Sequence, residues 1–187
     1  MHITTCRAGA PLPVQEIWVS RDLNEHLIRA KGTVVLWNLA GRKQTILDSA
    51  SGSARTSPIA GDELAAAKAW LDKGTGMPPF RSPASAPAGA QWAQVASGPG
   101  SADGREVYEL RWVDPGAGET GLRWRWRVTV DGRSDLPQRA EYYLKRAGDA
   151  DYALETVLTF EYLTRDQMQA AIDVSTNLPT ASPPARP

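Results

Sequence analysis

Leu122-Arg-Trp-Arg-Trp-Arg-Val-Thr-Val130 is the stretch that decides the fold. Leu122, Trp124, Trp126, Val128 and Val130 point one way, and Arg123, Arg125, Arg127 and Thr129 point the other. A period of two over nine residues is a strand with one dry face and one wet face. Such strands belong to antiparallel sheets rather than to doubly wound parallel ones. The same texture recurs on both sides. Glu106 to Val113 aligns Tyr108, Leu110 and Trp112, and Arg139 to Lys145 aligns Ala140, Tyr142 and Leu144. Tyr152 to Tyr162 aligns Leu154, Leu158, Phe160 and Tyr162.

The first half alternates less cleanly, at Ile17 to Arg21, His26 to Ala30, Thr33 to Leu39 and Lys43 to Asp48. Turn residues punctuate these runs at Lys31-Gly32, Gly41-Arg42, Ser51-Gly52, Asp131-Gly132 and Gly148-Asp149. Weaker segments near 2–7, 53–58 and 91–96 bring the expectation to about eleven strands, the regime of a sandwich, a barrel or a large curved sheet.

Two helices are expected among them. Residues 62–73 carry Leu64, Ala67 and Leu71 on one stripe with Trp70 at its edge, and Asp62 is placed to cap the first turn. A second helix starts at Thr164, which stands at capping-box spacing from Gln167; Met168 and Ile172 share its face. Residues 74–104 form a loop-rich insertion, and 175–187 a disordered Pro/Ser-rich tail. The expectation is therefore a single domain over 1–174.

Composition excludes more than it assigns. The chain has 187 residues, 21 Lys plus Arg against 21 Asp plus Glu, and one Cys. A neutral balance argues against a dedicated nucleic-acid binder. The longest apolar runs, Val34 to Trp37 and Leu64 to Ala67, fall far short of the ~20 residues of a bilayer span. One Cys permits no intrachain disulfide and no Cys-based zinc cluster. Cys6 reads as a small strand residue. No secretory leader is readable, and Met1 is expected to be a start downstream of the true one.

Motifs of chemistry fail in turn. Gly116-Ala-Gly118-Glu-Thr-Gly121 has the letters of a dinucleotide fingerprint, but a strand follows where the pyrophosphate site needs a helix. His2 and His26 are the only histidines, a three-ligand catalytic zinc would need carboxylate partners that the pattern does not identify, and no GxSxG or HExxH occurs. Asp131 and Asp135 lack the register of a calcium loop and suit a hairpin turn. The Arg123/Arg125/Arg127 row lies opposite the tryptophans, so rings and guanidiniums do not serve one ligand. It reads as a solvated face paired with carboxylates such as Glu109 and Glu141. No metal or cofactor is expected. Seven Trp against two Phe suits either a thick core or a concave apolar face that holds ligands.

Three stretches resemble a known superfamily. They are Ile17-Trp-Val-Ser-Arg-Asp with Leu27 to Leu39, then Gly41 to Asp48 with Ser51 to Thr56, then Trp126 to Asp131 with Leu136-Pro-Gln-Arg-Ala-Glu141 and Leu158 to Tyr162. Together they resemble the periplasmic lipoprotein carriers (LolA-like) and the RseB-like regulators of anti-sigma factors. The nearest texture is that of extracytoplasmic domains of membrane-anchored bacterial regulators. The chain departs from the family hairpin in having Ser134-Asp135 before Leu-Pro, where Thr-Gly is usual.

The resemblance implies a curved antiparallel half-barrel of about eleven strands with two helices packing on its concave face. It implies a non-catalytic domain outside the cytoplasm that holds a lipid, an acyl chain or a lipoprotein. On that basis Tyr108, Leu110, Trp112, Trp124, Trp126, Val128, Tyr142, Leu144, Leu158 and Phe160 are expected to line the cavity, with Leu64, Trp70 and Leu71 on a lid helix. An interaction domain of a sigma-factor system, partnered by a membrane-anchored regulator and without a lipid, is the alternative. A hydrolase using His26 or a carboxylate is the third.

Overall fold

In the computed structural model the decisive stretch forms a nine-residue strand, and the chain is mainly β. Residues 1–73, 87, 90–95, 104–113 and 121–176 are described. The strands are β1 (His2–Arg7), β2 (Gln15–Ser20), β3 (Glu25–Ala30), β4 (Thr33–Asn38), β5 (Lys43–Asp48), β6 (Ser53–Pro58), β7 (Trp92–Val95), β8 (Arg105–Val113), β9 (Arg123–Asp131), β10 (Leu136–Lys145) and β11 (Ala153–Glu161). The helices are α1 (Gly61–Lys73) and α2 (Arg165–Thr176). The eleven strands pair in one open antiparallel order, β6-β5-β4-β3-β2-β1-β11-β10-β9-β8-β7. Strand number, antiparallel pairing and the unclosed order are those expected of a half-barrel.

Most of the insertion at 74–104, the glycine loop through residue 120 and the tail beyond Thr176 lie outside the described residues. The tail was expected from residue 175, but Ser175 is buried in the last turn of α2.

The described chain groups into two compact units. The first comprises Met1–Ile3, Val14–Gly74 and Tyr162–Pro187, the second Thr4–Pro13 and Thr75–Glu161.

In the first unit, successive hairpins set the register. Lys31 and Gly32 both take positive φ, 49° and 79°, which closes the two-residue turn between β3 and β4 in the sense that matches strand twist. Trp18 then faces Leu27, Leu27 faces Leu36, and Val34 faces Leu47. Trp18, Leu27, Val34 and Leu47 form one core with Met168 and Ile172 of α2. Arg29 fastens the end of that helix: Nη2 donates to Ser175 Oγ at 2.9 Å while Nη1 holds Glu16 at 3.1 Å.

The alternation is blurred in β2 for a physical reason. Ile17, Trp18, Val19 and Ser20 are all buried, so both faces of the strand are dry.

The helices divide between the two faces of this unit's strands. α2 takes the face of Trp18 and Leu27. α1 borders a cleft on the opposite face, with His26, Ile28 and Trp37. The capping box of α2 forms as the sequence suggests, with Gln167 N–H donating to Thr164 Oγ1 at 3.3 Å and Thr164 N–H to Gln167 Oε1 at 2.9 Å. Thr164→Ala is expected to cost about 1 kcal/mol in denaturant unfolding, with Thr164→Ser restoring most of it. α1 starts one residue earlier than expected, at Gly61, and its cap differs. Glu63, rather than Asp62, reaches back to accept the Ala60 N–H at 3.3 Å.

In the second unit, β8, β9 and β10 pair along their lengths. Tyr108 faces Val128, Leu110 faces Trp126, and Trp112 faces Trp124; across the next ladder Ala140, Tyr142 and Leu144 face Val128, Trp126 and Trp124. The β9–β10 turn is held by Asp131, whose Oδ1 accepts the N–H groups of Ser134 and Arg133 at 2.9 Å each. Those bonds keep its carboxyl below the usual carboxylate range. Gly132 N–H donates to Gly104 O at 2.7 Å, and a Cβ at Gly132 would press on that same carbonyl. Gly132→Ala is therefore expected to destabilise by about 1–3 kcal/mol, measured as a fall in denaturation midpoint at constant m.

Candidate hydrophobic binding face

The pleat sorts β9 into two surfaces. On the first, Trp112, Trp124, Trp126 and Tyr142 make a continuous panel of rings across three strands. Ring centroids are 6.3 Å apart for Trp112 and Trp124, 5.0 Å for Trp124 and Tyr142, and 4.7 Å for Trp126 and Tyr142. The register of the three strands places these rings side by side on one face. Burial, followed by the charge of Glu155, pushes the Tyr142 phenol up to about 12, so it stays neutral through the physiological range.

The ten expected cavity residues thus share one face, but at two depths. Leu110, Trp126, Val128, Leu144, Leu158 and Phe160 are buried and act as floor. Tyr108, Trp112, Trp124 and Tyr142 are half-buried and offer the accessible surface. Tyr108 also donates its hydroxyl to Glu106. Of the expected lid residues, Leu64 is half-buried and Leu71 buried on α1 of the first unit, and the Trp70 side chain lies outside the description.

The second surface of β9 is ionic. Glu109, only 6% exposed, accepts from Arg111 and from Arg127, the latter at 3.3 Å. Glu141 takes Arg139 at 3.0 Å and the Tyr143 hydroxyl at 2.8 Å. Arg125 lies over two rings, 4.2 Å from the Tyr143 centroid and 4.6 Å from that of Tyr152. The expected pairing with Glu109 is present. Glu141, however, serves its own strand rather than the β9 row.

No protein-family profile matches this chain, and no curated protein matches it. Site chemistry therefore rests on geometry. Among the described residues, no group of three His, Cys, Asp or Glu side chains is placed to hold a metal, and no helix is long and apolar enough to cross a membrane.

The sequence did not point to the cleft of the first unit. An open cleft of about 390 Å³ is lined by His26, Ile28, Trp37, Gln44, Glu63, Ala66 and Ala67. His26 stacks on Trp37 with centroids 4.8 Å apart, and burial lowers its imidazole to about 4. A lone histidine at a strand start beside Leu27-Ile28 suggests a surface or hydrogen-bonded residue rather than a ligand. Only the register that sets His26 opposite Trp37 reveals that it is buried. The only other signal was the alanine run of α1.

Proposed function

We propose that this chain is a non-catalytic binding domain that holds an acyl chain, free or on a lipoprotein, against the ring panel of β8, β9 and β10. The observation that carries this reading is the panel itself: four adjoining rings, three of them half-buried, over an apolar floor. Indole and phenol rings pack on methylenes with little loss of side-chain freedom, and each buried methylene contributes about 0.8 kcal/mol. Binding of this kind needs no polar constellation. A compartment outside the cytoplasm is part of the proposal and rests on the superfamily resemblance alone.

The test is extraction of natively purified protein with organic solvent, mass spectrometry of the extract, and titration of the delipidated protein with fatty acids by Trp fluorescence. A saturable response is expected, and Trp124→Arg, on a half-buried side chain, should weaken it about thirtyfold while the fold is kept. Unchanged affinity in a folded Trp124→Arg protein overturns the assignment.

A second reading is favoured by β6. It ends the strand order, and all but one of its residues are exposed. Such an edge suits strand addition by a regulatory protein partner. A partner that co-purifies without lipid, and is lost on adding a proline within β6, would select it.

A further inference from the structure

Among the described residues, the cations at one end of the ionic surface have none of the carboxylate partners that neutralise the rest of it. Arg123 and Lys145 face each other across the β9–β10 ladder, and Arg125 and Tyr143 form the next row. Among the described residues no carboxylate pairs with Arg123, Arg125 or Lys145. Lys145 instead donates to the Ala150 carbonyl at 2.7 Å. Glu109 and Glu141, the anions of this surface, are already committed to Arg111, Arg127 and Arg139.

Apolar groups accompany these cations. Val113 faces Arg123 on β8 and is 55% exposed. The rings of Tyr143 and Tyr152 brace the Arg125 guanidinium, fixing its plane without neutralising its charge. Guanidinium and ammonium groups with no described carboxylate partner, beside tyrosine rings and an exposed aliphatic side chain, match the chemistry of the lipid headgroup level. Phosphate is bound there by Arg and Lys, and amphipathic rings sit at the same depth. An acidic polypeptide would be served by the charges alone and gives no role to Val113.

We propose that this end of the β9–β10 surface seats the domain on an anionic bilayer. The inference is independent of acyl binding, because Trp124 and Arg125 are neighbours in sequence and point to opposite faces. The experiment is flotation of the full chain with vesicles of phosphatidylcholine alone and of phosphatidylcholine with phosphatidylglycerol. Binding is expected only to the anionic vesicles, and should be lost near 1 M salt, where the screening length falls to ~3 Å. Arg123→Gln with Arg125→Gln should weaken it about thirtyfold. Lys43→Gln with Arg55→Gln, which removes the same charge from the first unit, should leave it unchanged. Arg123→Gln alone, at an exposed position, should cost about fivefold and guards against a folding defect in the double variant.

Acyl binding by the double variant is expected to be intact, so failure of either proposal leaves the other standing. Equal binding to neutral vesicles, no binding to either kind, or equal effects of the two double variants each overturns the proposal. Retention on polyglutamate without vesicle binding overturns it in favour of an acidic polypeptide.

Discussion

Leu27→Ala is expected to lower the unfolding free energy by about 2–5 kcal/mol. Leu27 is 0% exposed, at the centre of the core formed by Trp18, Val34, Leu47, Met168 and Ile172. Removing its isobutyl group loses the transfer free energy of the buried carbons. The rest of the cost depends on how far the neighbours collapse into the space. Here collapse is restricted. β3 is hydrogen-bonded to β2 on one side and β4 on the other, so its backbone has no freedom to move inward. α2 is tied at one end by the Arg29–Ser175 bond and at the other by its capping box. Met168 is the one flexible neighbour able to fill part of the void, which would bring the value toward the lower end. Guanidinium denaturation with a shared m-value measures the effect. Ile46→Ala, at a 39% exposed position on β5, serves as the control and should cost far less. A loss below ~1 kcal/mol at Leu27 would mean that α2 is not seated on this face in solution.

How much of this was legible follows from which strands have one wet face. β9 alternates without interruption because one side carries rings and aliphatic groups and the other carries charge, whereas β10 has register shifts at Pro137/Arg139 and Tyr142/Tyr143. Their register was not implicit in the Asp131-Gly132 turn, because a shift between Pro137 and Arg139 moves every later pairing by one residue. β2 was poorly legible because Ile17, Trp18 and Val19 are all buried, so periodicity is erased where burial is greatest. Strand pairing beyond the hairpins was not legible at all. Local pattern contains no information that β1, the first strand, lies between β2 and β11 in the order.

The same distinction governs the site. Alternation assigned Leu110, Val128 and Phe160 to the face of Trp112 and Trp124, and that is where they lie. It gives the direction of a side chain but not its depth, so floor and accessible surface were merged. The cleft of the first unit was out of reach for another reason. His26, Trp37, Gln44 and Glu63 come from three strands and a helix, and become neighbours only once those elements have packed. The charge pattern behaves alike: among the described residues Arg127 has a carboxylate partner and Arg125 has none, because Glu109 lies across the ladder from one and not from the other.

Acidification from pH 6.5 to about 4 is expected to destabilise the protein by about 2–3 kcal/mol through His26. Its imidazole is buried against Trp37, and burial disfavours the charged form, lowering the folded-state value from 6.5 to about 4. Over that interval the unfolded chain binds the proton and the folded chain does not. The stabilisation is therefore complete above pH 6.5, declines as the pH falls through the interval, and is constant below about 4. Glu25 acts in the opposite sense. Burial raises its carboxyl above the usual range, the Asn38 amide bond pulls it back in part, and the charge of Asp173 adds to the rise. The folded state thus takes up the Glu25 proton first, and this offsets some of the loss. His26→Gln isolates the histidine: its stability measured against pH by urea denaturation should be flatter between 6.5 and 4 than that of the natural chain, whatever its value at neutral pH. Glu25→Gln should make the decline steeper. Parallel curves for His26→Gln and the natural chain would mean that the imidazole meets solvent through the cleft and titrates there as it does in the unfolded chain.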